Sequence, residues 1–186
     1  HLSGTGAGDL YDISYMPVTL PYREAEAPLG IHSKFRHSDE EASAGYYRVL
    51  LKDYNINVEL TATERCGIQR YTFPKAQSAV FLNLKKAMNW DFTQDSHIEV
   101  VDSCTIQGYR FSDGWARGQR VFFRTRFSKP FRSSEIDTTA IIQDGKTIGT
   151  AYVARFNFDT TDGEEIVLCT ALSGVSMEGA AGNLAA

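Results

Sequence analysis

The chain opens with small and hydroxylated residues, "HLSGTGAGD", whose glycines at positions 4, 6 and 8 resemble a phosphate-binding loop. In nucleotide-binding folds such glycines follow a strand and open a helix, whose N-terminal amides meet the phosphate. Here "DLYDISYMP" comes next and does not read as a helix, and no G-K-[ST] closes the glycine stretch. Two interpretations remain: a turn, or a loop whose small residues let the backbone and the Ser3 and Thr5 hydroxyls reach a polar ligand such as a sugar.

The segment "RHSDEEASAGYY" places His37 beside three carboxylates, Asp39, Glu40 and Glu41, a composition suited to metal binding or acid–base chemistry. Successive residues of an extended segment point in opposite directions, so these carboxylates do not converge without a special loop. A solvated loop is therefore the favoured interpretation. Ser, His and Asp all occur in the chain, but without the G-x-S-x-G elbow that presents a nucleophilic serine.

The two tryptophans, Trp90 in "MNWDF" and Trp115 in "SDGWARGQ", both stand beside polar, turn-like sequence. Flat aromatic faces stack on sugar rings, but tryptophan more often fills a core, and core packing is the favoured interpretation of each.

The cysteines Cys66, Cys104 and Cys169 are scattered, without the C-x-x-C spacing of a zinc site. Buried thiols, or one disulfide with one free thiol, both remain open.

Composition bounds the class of protein. The chain has 186 residues, 42% hydrophobic and 23% charged, which is typical of one folded domain. No run approaches the roughly 18 apolar residues of a membrane span. The net charge of −4 argues against nucleic acid and anionic membranes as partners.

From Tyr46 onward the apolar residues recur with a period of two, which predicts half-buried antiparallel strands. "EEIVLCTAL" is more uniformly apolar and is predicted to lie centrally, covered on both faces. Asp-Gly pairs separate some of the predicted strands, and "AIIQDGKTIGTAYVA" is the clearest predicted hairpin. Helix is scarce, with one predicted to begin near Ser176. The residues predicted to share faces are Tyr47, Val49 and Leu51; Ile56, Val58, Leu60 and Ala62; Val121, Phe123, Thr125 and Phe127; and Tyr152, Ala154, Phe156 and Phe158. The fold class is all-β, a sandwich or large antiparallel sheet.

Four ordered blocks carry a resemblance to a known family: "HLSGTGAGDLYDISYMP", "FRHSDEEASAGYYRVLL", "TATERCGIQRYTFP" and "GYRFSDGWARGQRVFF". Together they resemble the N-terminal domain of glycoside hydrolase family 92, the calcium-dependent exo-α-mannosidases of glycan-degrading bacteria. The resemblance extends through "GVSMEGAAGNLAA".

The resemblance implies a large antiparallel β-sandwich of the supersandwich, galactose-mutarotase-like kind over residues 1–175, which lacks its first strands. Residues 176–186 would start the linker to a helical catalytic domain, which would supply the acid, the base and most ligands of the calcium. The implied reaction is inverting hydrolysis of terminal α-mannosides, with mannose-containing glycans as substrates and a periplasmic, secreted or cell-surface location. This domain would be inactive alone. The open alternatives are a stand-alone carbohydrate-binding module and a purely structural domain.

The resemblance also implies candidate substrate-binding residues, and it assigns no catalytic or metal-binding residue to this domain. The candidates are His1, Ser3, Gly4, Thr5 and Gly6 of the opening stretch, His37 and Glu40 before "GYY", Trp115 of "GWA", and Trp90. The chain departs from the family pattern at Ala7, at Leu10-Tyr11, at Ala44, where the family often has proline, and at Gln69, where it often has histidine. Gln69 keeps hydrogen-bonding capacity but does not titrate near neutral pH.

Overall fold

The computed structural model describes residues 12–22, 30–85 and 91–186, which form twelve strands, a short 3-10 helix and an α-helix. The 3-10 helix is His37–Asp39 and the α-helix, α1, is Met177–Ala185. The strands are β1 (Ser14–Thr19), β2 (Glu40–Ser43), β3 (Tyr46–Leu51), β4 (Ile56–Ala62), β5 (Cys66–Phe73), β6 (Ala76–Asn83), β7 (Phe92–Asp102), β8 (Thr105–Asp113), β9 (Gln119–Phe127), β10 (Ser133–Gln143), β11 (Lys146–Thr160) and β12 (Glu164–Ser173).

The strands pair into two antiparallel sheets. One has four strands in the order β1-β6-β11-β10, and the other has eight in the order β2-β3-β4-β5-β12-β9-β8-β7. The predicted all-β, antiparallel sandwich is confirmed.

The core lies between the sheets and follows the predicted alternation. On β9, Phe123, Thr125 and Phe127 are buried and Val121 half-buried, while the intervening residues face outward. Phe127 meets Phe156 of β11 at 5.4 Å between ring centroids, which joins the eight-stranded sheet to the four-stranded one. Alternation of period two therefore placed these side chains correctly, because β9 fully buries only one face.

Strand β12 occupies the predicted central position, between β5 and β9. Helix α1 packs on the outer face of β12 and β9. The Ser176 hydroxyl accepts a hydrogen bond from the Gly179 amide at 3.0 Å, so the helix begins where the sequence predicts, capped in the usual way. Among the described residues, no helix is long and apolar enough to cross a membrane. The domain boundary predicted after residue 175 falls between β12 and α1 and stays a prediction.

The predicted hairpin is formed by β10 and β11. Asp144 and Gly145 turn it with φ angles of 50° and 73°, the positive values that a tight two-residue turn requires. Strand β10 is an edge of its sheet and is exposed along most of its length, with a register shift between Ile141 and Ile142.

Candidate functional site

A fully buried arginine, Arg110, lies in the middle of β8. The period of two places it on the inward face with Ile106, Gly108 and Ser112. A guanidinium does not lose its charge in proteins, so at this position it requires buried acceptors.

Arg110 finds these acceptors on segments distant in sequence. Its Nη1 donates to Asp12 Oδ1 at 2.6 Å and to Asp91 Oδ2 at 3.0 Å, and its Nε donates to Thr93 Oγ1 at 3.0 Å. Gln119 Nε2 donates to the other oxygen of Asp12 at 2.6 Å. We call Arg110, Asp12, Asp91, Thr93 and Gln119 the Arg110 cluster.

The charges of the Arg110 cluster do not balance, because one guanidinium faces two buried carboxylates. Burial raises the pKa of Asp12, and the attraction and hydrogen bond of Arg110 offset only part of this effect. The cluster therefore depends on Arg110 for its stability.

The Arg110 cluster marks where several candidate segments join the sandwich. Asp12 follows residues 1–11, and Asp91 follows Trp90 directly in the chain. A Cβ on Gly114 would lie 2.9 Å from the Asp91 Cα, so the turn before Trp115 packs closely on the same aspartate. The chain connections of the opening stretch, Trp90 and Trp115 thus meet at one end of the sandwich.

The structure describes only some of the candidate substrate-binding residues predicted from the sequence. His1, Ser3, Gly4, Thr5, Gly6 and Trp90 lie outside the described residues. Trp115 is 75% exposed, so the core interpretation favoured for it is wrong.

An aromatic surface lies on the outer face of β7, β8 and β9 near this end. The Tyr109 and Phe111 rings stack at 4.4 Å, Phe122 meets Phe111 edge-on, and the Arg120 guanidinium lies 5.3 Å over the Phe111 ring. Phe92 is also exposed. Tyr109 donates from its hydroxyl to Asp95 at 3.1 Å, and burial together with Asp95 raises the pKa of Tyr109. The surface thus combines flat apolar faces with fixed polar groups.

A groove of about 390 Å³ opens between the sheets beside Asp12. Tyr15, Thr170 and Gln69 give it a polar lining, and the Tyr15 hydroxyl hydrogen-bonds to Thr125 at 2.6 Å. Burial raises the pKa of Tyr15, which stays a neutral phenol at ordinary pH. Gln69 therefore lines the same groove as Asp12 of the Arg110 cluster.

His37 and Glu40 are brought together but lie elsewhere. Their Nδ1 and Oε1 atoms are 3.3 Å apart, and the His37 side chain is fully exposed. They border β2, which forms the opposite edge of the eight-stranded sheet from β7. The structure therefore does not bring this pair to the end that carries Trp115.

Among the described residues, no group of three or more His, Cys, Asp or Glu side chains is arranged to hold a metal ion. Asp12 and Asp91 already bind Arg110, so neither is a free oxygen ligand or a free catalytic carboxylate.

Sequence reasoning missed the Arg110 cluster, although "TIQGYRFSD" held the signal. The period of two places Arg110 on the face of buried Ile106, and a buried arginine implies carboxylate partners. Which carboxylates these are depends on pairs separated by 98 and 19 residues, which no local pattern reveals.

Comparison with known proteins gives concordant results. The sequence model described as "Glycosyl hydrolase family 92 N-terminal domain" matches residues 1–173. No curated protein matches the chain. The solved structure of the family GH92 α-mannosidase BT3965 from Bacteroides thetaiotaomicron, in complex with mannoimidazole, superposes with a TM-score of 0.83 at 31% identity. That match covers 100% of this chain and 26% of BT3965.

Two more distant structures share the fold. The family GH92 inverting mannosidase BT2199 from Bacteroides thetaiotaomicron has a TM-score of 0.69 at 22% identity, over 93% of this chain and 23% of its own. The family GH92 glycosyl hydrolase ccman5 has a TM-score of 0.64 at 22% identity, over 91% of this chain and 24% of its own. The chain thus spans about a quarter of the length of these relatives.

Proposed function

The chain belongs to the glycosyl hydrolase family 92 N-terminal domain family, and from this premise we propose that it is the non-catalytic sandwich of an exo-acting α-mannosidase. In this proposal it forms one wall of the mannose pocket and part of the interface with a helical catalytic domain. The substrates are glycans that end in α-linked mannose.

One observation carries the pocket role. The Arg110 cluster fixes the points where the opening stretch and the Trp90 segment join the sandwich, and Gly114 brings the turn before Trp115 onto the same Asp91. A sugar site needs small residues, hydroxyls and an exposed aromatic ring close together. The opening stretch, the Trp90 segment and the turn before Trp115 are all connected to the sandwich at the end that holds the Arg110 cluster.

We assign the chemistry to the catalytic domain. Inverting hydrolysis needs a carboxylic acid and a carboxylate base roughly 6.5–9.5 Å apart, and the buried carboxylates Asp12 and Asp91 are instead both ion-paired with the same arginine, Arg110. In this proposal calcium binds in the same catalytic domain. The name α-mannosidase of BT3965, which is 31% identical to this chain, supports the activity.

The test is mannose release by the full-length protein from α-1,2-, α-1,3- and α-1,6-linked mannobioses, with calcium and with a chelator. We expect release from at least one linkage and its loss on chelation. Absence of release from every linkage would contradict the mannosidase activity. Release that a chelator leaves unchanged would contradict only the calcium requirement.

The pocket role is tested in the same assay with Trp115→Ala. We expect kcat/KM to fall by about tenfold or more, because an exposed ring that binds sugar is lost without damage to the core. Ile142→Ala is the matched control, since Ile142 is also exposed, at 67%, and lies on the β10–β11 hairpin. Ser3→Ala and Thr5→Ala test the opening stretch in the same way. An unchanged kcat/KM in all three variants would remove this end of the domain from the pocket.

The second candidate function is a stand-alone carbohydrate-binding module, which the aromatic surface of β7, β8 and β9 favours. Calorimetry of the 186-residue chain with mannose and mannobiose separates the two functions. Appreciable binding without a catalytic domain supports the module, and absence of binding supports the mannosidase pocket.

A further inference from the structure

Two of the three cysteines lie side by side on the outer face of the eight-stranded sheet. Strand β5 pairs with β12 so that Cys66 stands opposite Ala171 and Ile68 stands opposite Cys169. Cys66 and Cys169 are therefore diagonal neighbours on the same face of adjacent strands. Burial and the nearby Cys66 thiol raise the pKa of Cys169 to about 11, and Cys66 Sγ donates to the Asn183 carbonyl of α1 at 3.6 Å.

Cys104 belongs to a different part of the sheet. It lies in the turn between β7 and β8, where its carbonyl accepts a hydrogen bond from the Phe127 amide at 2.7 Å. Strand β9 lies between it and β12, although Cys104 borders the same cleft as Cys169. The sequence left open which two cysteines could pair, and the strand order distinguishes them.

The Cys169 residue borders an open cleft. This cleft of about 920 Å³ lies beneath the C-terminal end of α1, and Cys169, Leu184 and Ala185 line it. Arg124 and Arg126 also line this cleft against the single carboxylate of Asp102, which leaves its charge net positive. A small anionic disulfide such as glutathione disulfide, with its free carboxylates, fits that charge.

We propose that Cys66 and Cys169 are an oxidisable thiol pair that closes to an intramolecular disulfide beneath α1, with Cys104 remaining a free thiol. The oxidant is a low-molecular-weight disulfide. One thiolate of the pair attacks one sulfur of glutathione disulfide, which forms a mixed disulfide and releases one glutathione. The other thiolate then displaces the second glutathione. Two thiols are oxidised to one disulfide, one glutathione disulfide is reduced to two glutathiones, and each thiol proton passes to a released glutathione thiolate.

The bond requires a small adjustment of the sheet. Diagonal neighbours stand about 7–8 Å apart at Cα, beyond the roughly 4.4–6.8 Å that a disulfide usually spans, so β5 and β12 must move closer together for the bond to form. Oxidation also removes the thiol proton that Cys66 donates to Asn183, so closing the disulfide loosens one of the contacts that hold α1.

The experiment is peptide mapping of the full-length protein after incubation with glutathione disulfide. Remaining thiols are blocked with N-ethylmaleimide under denaturing conditions, and the protein is digested with trypsin. Arg65, Arg70, Arg110 and Arg155 place the three cysteines on separate peptides. We expect a linked Cys66–Cys169 peptide, lighter than the sum of its parts by two hydrogen atoms, and a blocked Cys104. When the oxidised protein is reduced with dithiothreitol before blocking, all three cysteines should carry N-ethylmaleimide.

The matched variants are Cys104→Ser, which should keep the link, and Cys169→Ala, which should abolish it and leave Cys66 blocked or as a glutathione adduct. Both are compared with the wild-type protein by circular dichroism. A link that includes Cys104, glutathione adducts alone in the wild-type protein, or blocked thiols at all three positions would overturn the proposal.

Discussion

A single side chain, that of Arg110, holds several segments of this sandwich together. It is fully buried and bonds two carboxylates whose segments enter the fold from separate directions. Removing one partner of a buried ion pair leaves an uncompensated charge, which costs more than the pair itself contributes. The residue therefore couples the stability of the domain to the position of the candidate pocket.

Arg110→Met is expected to lower the free energy of unfolding by about 3–5 kcal/mol, because Asp12 and Asp91 would stay buried without their counter-charge. Arg132→Met is the matched control: Arg132 is exposed and lies 3.7 Å from Asp159, a kind of pair worth about 0–1 kcal/mol. Urea unfolding of both variants measures the difference. A loss below about 1 kcal/mol for Arg110→Met would contradict this account of the cluster.

A second residue-scale prediction concerns pH. Arg70 donates to the Glu59 carboxylate through Nε and Nη2, each at 2.7 Å. The Tyr46 hydroxyl donates to the same carboxylate at 2.6 Å. These bonds lower the pKa of Glu59. A carboxyl group whose pKa is lower in the folded state stabilises the fold above its unfolded pKa, about 4.3, and loses that contribution as pH falls through the folded value.

Glu59→Gln should therefore lower the free energy of unfolding by about 1 kcal/mol at pH 7, and the difference from wild type should shrink as pH falls below the unfolded pKa of about 4.3. Denaturant midpoints measured from pH 7 into this acidic range test it. Glu41→Gln is the control, since Glu41 is mostly exposed and 3.8 Å from Arg48, and its effect should be small at every pH. A Glu59→Gln difference that grows as pH falls would contradict the linkage.

At the scale of elements, the β10–β11 hairpin depends on its turn. Gly145 has a φ of 73°, a conformation that costs a residue with a Cβ about 1–2 kcal/mol. Gly145→Ala should therefore lower the free energy of unfolding by about that amount, although the space around it is open.

Gly67→Ala is the matched control for this turn. Gly67, on β5, also has open space around it but no positive φ, so alanine should leave stability unchanged or raise it by about 0.5 kcal/mol. Thermal unfolding compares the two variants. Equal effects would show that the turn geometry is not the cause.

Elements also show the limits of sequence reasoning. The buried faces of β9 and β11 were predictable because a period of two is a local property. Which two strands lie beside β12, namely β5 and β9, was not predictable from the sequence, since strand order depends on long-range pairing. For the same reason the sequence grouped His37 and Trp115 as candidates, although the sheet order places them toward opposite edges.

At the scale of the whole molecule, the two sheets are held together by a cluster of aromatic rings. Phe127 of β9 lies 5.4 Å from Phe156 and 5.9 Å from Phe158 of β11. Phe127 is 1% exposed, so truncating it leaves a cavity between the sheets.

Phe127→Ala is expected to lower the free energy of unfolding by about 3–5 kcal/mol. Calorimetry should show a lower melting temperature with a single transition, because both sheets lose the same contact. Ile142→Ala, which removes an exposed apolar side chain, should change stability by less than about 0.5 kcal/mol. Two separated transitions in Phe127→Ala would contradict one shared core.

The exposed edge of the four-stranded sheet has a consequence for solubility. Strand β10 presents unpaired backbone groups, and its hairpin exposes Ile136, Ile142 and Ile148, features that invite a strand from another molecule to add to the sheet and begin aggregation. The register shift at Ile141 and the carboxylate of Asp137 oppose such addition, because a bulge and an edge charge both interrupt a continuous ladder. The hairpin therefore governs how this domain behaves in concentrated solution, while the aromatic core governs whether it unfolds.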